Sequence, residues 1–557
     1  MATVAPLEYW DDGVLERGNI MACGRTMLLT ILLGLIAGAV LFGGCTMVGP
    51  NYLRPEAQEA NQWIEKDAPK IKSEAADFST WWTVFDDPVL DRLIETAYRQ
   101  NLPLRIAGVR ILEARAQLAI AVGDQYPQLQ QGRGTYTRTS LSDHTANTLP
   151  TVDLTYGEID VGFDAAWELD VWGKFRRSVE SSIANLEATI ASYDDILVSL
   201  TAEVARIYVL IRTLEARLEV ARENVRVQKR SLEIADARFE AGVVTELDVQ
   251  QARALLGDTQ ASIPRLESSL RQAGNGLSIL LGILPGDLED LLAEPKPIPA
   301  APAEVAVGVP AELLRRRPDI RLAERQIAAQ SPRIGVAKAD LYPHFVLFGS
   351  IGLRASDAAI TAAGGFGGSE FSDLFDSESI EWFVGPAFTW DILNYGRIKN
   401  RVRVQDARFQ ELAVNYQNTV LKAAQEVEDA MVAFLRAQEE ASFLANSVAA
   451  SARSVELAMI QYREGLVDYQ RVLDTQRFLA QAQDLLTSTT GSIAVNLVAM
   501  YKALGGGWEI RAGKDFVPEE IKAEMRNRTN WGRLLSPGQV EETVSEEDRK
   551  KWRRPDW

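Results

Sequence analysis

Few residues in this chain of 557 could do covalent or acid–base chemistry. His144 and His344 are its two histidines, both beside predicted strands, and support neither a metal cluster nor a Ser-His-Asp arrangement. The two cysteines, Cys23 and Cys45, bracket an apolar run and leave no pair for a disulfide framework or a zinc site. Asp194-Asp195 is a carboxylate pair of the kind hydrolases use, but on the exposed face of a helix such a pair is simply solvated. Gly364 to Gly368 is glycine-rich yet lacks the Lys-Ser/Thr that a phosphate cradle needs. The expectation is therefore no catalytic residue, no metal and no cofactor. The formal net charge of -18 also excludes nucleic acid and anionic membrane surfaces as partners.

What chemistry remains centres on Cys45. Residues 1–20 are polar and read as an extension, with Met21 and Met27 as candidate starts. Arg25 precedes Met27 to Phe42, a run of apolar and small residues too short for a transmembrane helix and suited to a signal-peptide core. It ends in Leu41-Phe42-Gly43-Gly44-Cys45, which resembles a bacterial lipobox whose cysteine thiol receives a diacylglycerol. Phe42 stands where such boxes usually carry Leu. Several acyl chains on Cys45 would anchor the protein stably, as one does not.

The elements that must position any site come in two copies. Gly162 to Lys174 and Gly385 to Arg397 match at Gly162 and Gly385, Trp167 and Trp390, Gly173 and Gly396, each pair 223 residues apart (385 − 162, 390 − 167, 396 − 173). Such repeats decide the fold. Within each copy apolar residues alternate: Ile159, Val161, Phe163, Ala165, Trp167 and Leu169, then Trp382, Val384, Pro386, Phe388, Trp390 and Ile392. Each is thus a strand with one oily face. A soluble sandwich strand alternates in the same way. A transmembrane barrel strand needs about 9–11 residues and a polar lumen face, which the acidic row Glu158, Asp160, Asp164 and Glu168 would supply.

A long helix opens after Gly173. From Ile183 through Leu186, Ile190, Tyr193 and Leu197 to Val225, apolar residues step by three and four, and the series resumes at Leu232 after one polar member, Gln228. That period is a coiled-coil seam. Gly242 ends the helix, Thr245 caps the next, and the pair forms an antiparallel hairpin. The second rod runs from Gly396 to Gly465 with a smaller seam: Ala413, Tyr416, Val420, Ala423, Val427, Ala430 and Phe434. Residues 89–123 read as one helix ended by Tyr126-Pro127, and Tyr342-Pro343 ends its counterpart, in which Pro332 predicts a kink. The expected divisions are 1–44 extension and signal peptide, 45–284 first repeat, 285–310 linker, 311–508 second repeat, and 509–557 a charged, poorly ordered tail.

Val48-Gly49-Pro50-Asn51-Tyr52, Trp167-Glu168-Leu169-Asp170-Val171-Trp172-Gly173, Arg316-Arg317-Pro318-Asp319-Ile320, Gly385-Pro386 with Trp390, and Ala503-Leu504-Gly505-Gly506-Gly507-Trp508 keep an order and spacing that resemble the TolC-like outer-membrane factor family over roughly residues 45–508. Within that family the chain most resembles the lipid-anchored channels of resistance-nodulation-division efflux systems. The resemblance implies a mainly α fold with a membrane β part, in which three subunits share a 12-stranded outer-membrane barrel continuous with a periplasmic α-helical barrel. It implies a homotrimer, a periplasmic adaptor, an inner-membrane transporter and outer-membrane lipid as partners. It also implies a gate at the hairpin turns, Gly242 and Gly465. There Asp468, Arg471 and Asp474, with Glu246 and Asp248 at the first turn, would constrict the mouth, and Arg471 would either make the ring less negative or pair with Asp474.

The function so implied is a passive exit duct for small molecules. An outer-membrane channel for type I protein secretion, a lipid-anchored coiled-coil scaffold and a secreted hydrolase are the competing classes. Threefold assembly answers a difficulty that the residues pose alone, since four strands cannot close a barrel and open edges are not tolerated in lipid.

Overall fold

The structure, a computed structural model, describes residues 47–56, 62–72, 74, 77–144, 154–292, 294–310, 316–357 and 370–535. The signal segment, Cys45 and the glycine-rich stretch Gly364 to Gly368 lie outside the described residues. In chain order the main elements are β1 (Ile71–Lys72), α1 (Pro88–Gln100), α2 (Leu102–Gly123), β2 (Leu129–Ser140), β3 (Thr155–Leu169), α3 (Lys174–Glu240), α4 (Glu246–Leu281), β4 (Val305–Ala306), α5 (Pro318–Ala339), β5 (His344–Ser356), β6 (Ile380–Thr389), α6 (Arg397–Arg463), α7 (Tyr469–Ala503) and α8 (Glu519–Arg528). They form two compact units, one from residues 1–51, 121–180 and 331–406, the other from residues 52–120, 181–330 and 407–557.

The first unit holds a four-stranded antiparallel sheet in the order β2-β3-β5-β6, so the strand pairs of the two halves meet at the β3–β5 ladder and the copied strands β3 and β6 are separated by β5. Alternation sends Val161, Phe163, Ile351, Trp382, Val384 and Phe388 to one face, where they are 48–70% exposed. A contiguous apolar surface of this kind marks a face that meets something other than water. β2 and β6 are edge strands whose outer backbone groups have no partner strand among the described residues.

The second unit is built on the helical rods. Every seam residue of α3 from Ile183 to Val225 is buried, none more than 9% exposed. Tyr416, Val420 and Ala423 of α6 pack on Ile320, Ala323 and Ile327 of α5. β1 and β4 form a small parallel ladder, Ile71 opposite Val305. Arg212, wholly buried, fastens the segment expected as a linker by donating to Leu292 O at 2.7 Å and Glu294 O at 3.3 Å.

Three expectations need correcting. The helix read across 89–123 is two helices, because Asn101 turns out of the helix (ψ 121°), accepts from Leu104 N–H at 2.9 Å and donates to Leu280 O at 2.9 Å. The tail is not loose where it is described. Arg511, Phe516, Val517, Met525 and Leu535 are buried, and α8 forms within it. Asp194 is not solvated: it is fully buried between Arg321 and Arg511. The helix α5 runs on through Pro332 to Ala339.

Candidate functional site

The two strand–helix corners repeat each other atom for atom. Trp167 donates its indole N–H to Gln125 O at 3.1 Å, and Trp390 donates to Leu341 O at 3.0 Å. Each accepting carbonyl belongs to the residue before a Tyr-Pro, at Tyr126 and Tyr342. Gly173 and Gly396 take φ +76° and +82°, a backbone that side chains rarely adopt, so each strand can swing straight into its rod. Glu168, Lys174, Asp340 and His344 gather beside the first corner, His344 lying 2.8 Å from Glu168.

The segment that follows Cys45 is bolted to this corner. Val48 N–H donates to Trp172 O at 3.0 Å. Arg177, 2% exposed, donates to Val48 O at 3.3 Å, Gly49 O at 3.4 Å and Asn51 Oδ1 at 2.8 Å. Gly49 lies so close to Gly335 that a Cβ would sit 2.4 Å from its Cα. The sequence signal for this was the Gly49-Pro50 and Ile334-Gly335 glycines, while Arg177 carried none.

At the hairpin turns Gly242 and Gly465 have φ +69° and +72°. Thr245 and Asp248 form a capping box on α4, with Asp248 accepting from Thr245 N–H at 3.3 Å. Asp468 caps α7 by accepting from Arg471 N–H at 3.3 Å. Glu246 accepts from Gln250 at 3.2 Å. The pairing expected between Arg471 and Asp474 is replaced by others: Asp474 accepts from Gln470 at 3.0 Å and faces Arg477 at 3.7 Å, because 470 and 477 are also its helical neighbours.

What joins the two turns was not singled out in the sequence. Arg238 of the first hairpin donates to Tyr462 O at 2.5 Å and Arg463 O at 3.2 Å, and its guanidinium lies 4.6 Å from the centre of the Tyr462 ring. Tyr469 meets Ser231 at 2.8 Å, and burial pushes its hydroxyl up to about 12. Ala235, Val249, Ala252, Tyr462, Tyr469 and Val472 share one apolar cluster around these contacts. Among the described residues no group of His, Cys, Asp and Glu could hold a metal ion, and no helix is long and apolar enough to cross a membrane.

Residues 93–283 and 309–506 match the model of the outer membrane efflux protein family, and the chain belongs to that family. The solvent efflux pump outer membrane protein SrpC of Pseudomonas putida is 30% identical over 480 residues, which are 85% of this chain and 97% of the relative. A probable outer membrane lipoprotein, SilC of Salmonella typhimurium, is 29% identical over 475 residues, 85% of this chain and 98% of that one. The solved outer-membrane channel OprN has a TM-score of 0.76 and 33% identity, covering 83% of this chain and 99% of its own. The protein is an outer-membrane efflux channel.

Proposed function

We propose that three copies of this chain close one 12-stranded barrel and that the assembly is a passive exit duct, fed by a periplasmic adaptor and an inner-membrane transporter of the resistance-nodulation-division type, with small molecules as cargo. It is not an enzyme. The observation that carries the trimer is the four-stranded sheet with two unpaired edges and an exposed apolar face. In lipid such edges must be paired, and two further copies supply the strands. The divisions 45–284 and 311–508 are then two structural repeats contributing two strands each.

The duct narrows at the hairpin turns, where Glu246, Asp248, Asp468, Arg471 and Asp474 are repeated around the axis. Asp468 and Asp248 hold helix ends, which favours Asp474 and the exposed Arg471 as the residues turned to the passage. Single-channel conductance in planar bilayers tests this. Asp474→Ala and Arg471→Ala raise the conductance or change cation preference; parental behaviour in both would move the gate elsewhere.

Cys45 is the proposed lipid site. One residue, Thr46, separates it from Met47, which touches the corner at Gly173, so about 7 Å of extended chain spans the gap, and a relative that matches 85% of this chain carries a lipoprotein name. Cys45→Ser abolishes incorporation of labelled palmitate; undiminished labelling would refute the anchor.

A further inference from the structure

The polar face of the sheet carries an ion network that crosses all four strands. Arg133 on β2 donates from Nε to Asp160 Oδ1 at 2.8 Å and from Nη2 to Asp160 Oδ2 at 3.2 Å. Its Nη1 donates to Asp164 and, at 2.9 Å, to Ser350 Oγ on β5. Arg133 therefore reaches across β3 to the next strand. The register shows how: Arg133 lies opposite Gly162, and Gly162 opposite Gly352, so the row it crosses has no side chains. Arg354 on β5 continues the network, 3.3 Å from Glu158, 3.6 Å from Asp160 and 3.3 Å from Glu381 on β6.

The network is unbalanced. Glu158, Asp160, Asp164 and Glu381 face Arg133 and Arg354, four carboxylates against two guanidiniums. Arg133 is consumed by its inner partners, and the Asp160 side chain is only 10% exposed. The outer pair stays open to water, with the Arg354 and Glu381 side chains 48% and 55% exposed. An inner layer thus fixes the strands and an outer layer faces whatever passes.

We propose that this belt, formed by Arg133, Glu158, Asp160, Asp164, Arg354 and Glu381, is a charge filter inside the outer-membrane barrel, favouring cationic over anionic solutes, with Glu381, Glu158 and Arg354 meeting the solute and Arg133 holding Asp160 and Asp164 beside them. It rests on the trimeric barrel proposed above, in which the belt repeats around the wall. Twelve strands about 4.8 Å apart and tilted about 40° give a backbone radius of roughly 12 Å. Screening then decides how far the belt acts. The Debye length is about 30 Å at 0.01 M salt and about 3 Å at 1 M, so its field fills the lumen in dilute salt and hugs the wall in concentrated salt.

Reversal potentials of the purified full-length protein in planar bilayers test the proposal, under a gradient from about 0.01 to about 0.1 M potassium chloride. The parent prefers potassium over chloride, and this preference fades in molar salt. Glu158→Gln with Glu381→Gln lowers the permeability ratio on the order of two-fold, Arg354→Gln raises it, and Arg354→Lys restores the parent's value. A purely structural network would not move the two kinds of variant in opposite directions. The same shifts appear in an Asp474→Ala background, which separates the belt from the hairpin turns. Unchanged reversal potentials in channels that still conduct would overturn the filter and leave the barrel standing. Absence of conduction in both the parent and the Asp474→Ala background would overturn the barrel itself, and the filter with it.

Discussion

Asp195 shows how much a single carboxyl is shaped by its surroundings. Burial, with the negative charge of Asp319 second, pushes it up to about 6. Its folded value lies above the ordinary range of about 3.9, so its contribution to stability is fully present below about pH 4 and is lost as pH rises through about 6. Asp195→Asn should therefore raise the melting temperature at pH 7.5, by an amount worth about 1–2 kcal/mol, and leave it nearly unchanged at pH 4. A gain that is the same at both values would contradict this origin. Its neighbour Asp194 teaches the reverse lesson. In the sequence the pair is indistinguishable from solvated charge, because its partners Arg321 and Arg511 lie 127 and 317 residues away. No local pattern encodes a pairing at that separation, and the Arg238 contacts to Tyr462 and Arg463 escaped notice for the same reason.

At the scale of elements the sequence was far more legible. The rods, their seams, both hairpin turns and the two copies of the strand could be read from periodicity, because 3.5-residue and two-residue repeats are direct images of helix and strand geometry. The Thr245 cap formed as expected. The break at Asn101 did not announce itself, since apolar spacing continues across it and the turn is set by a bond to Leu280 O in α4. The segment after Trp508 misled through composition: charged residues and prolines suggested a loose chain, yet Arg511 enters a buried ion pair and Phe516 stands edge-on to Tyr193 at 5.1 Å. Arg511→Ala removes one of two guanidiniums from a wholly buried carboxylate, which costs about 3–5 kcal/mol. Denaturant unfolding should show that loss. A midpoint within experimental error of the parent's would mean the segment only rests on the surface.

At the scale of the whole molecule, one chain holds the parts of a channel without completing it. Its sheet has an oily face, a charged face and two open edges, and its rods carry seams repeated in both halves. Family membership and the likeness to OprN supply the class, and the open edges are the ground for the proposed assembly of three copies. Smaller seam residues in the second rod permit closer approach of helices, which suits the proposed packing of rods against neighbouring copies. The most direct test is the mass of the purified full-length protein in mild detergent, taken from the same preparation that conducts in bilayers. The account predicts a particle of three chains. A stable particle of one chain that still conducts would contradict it.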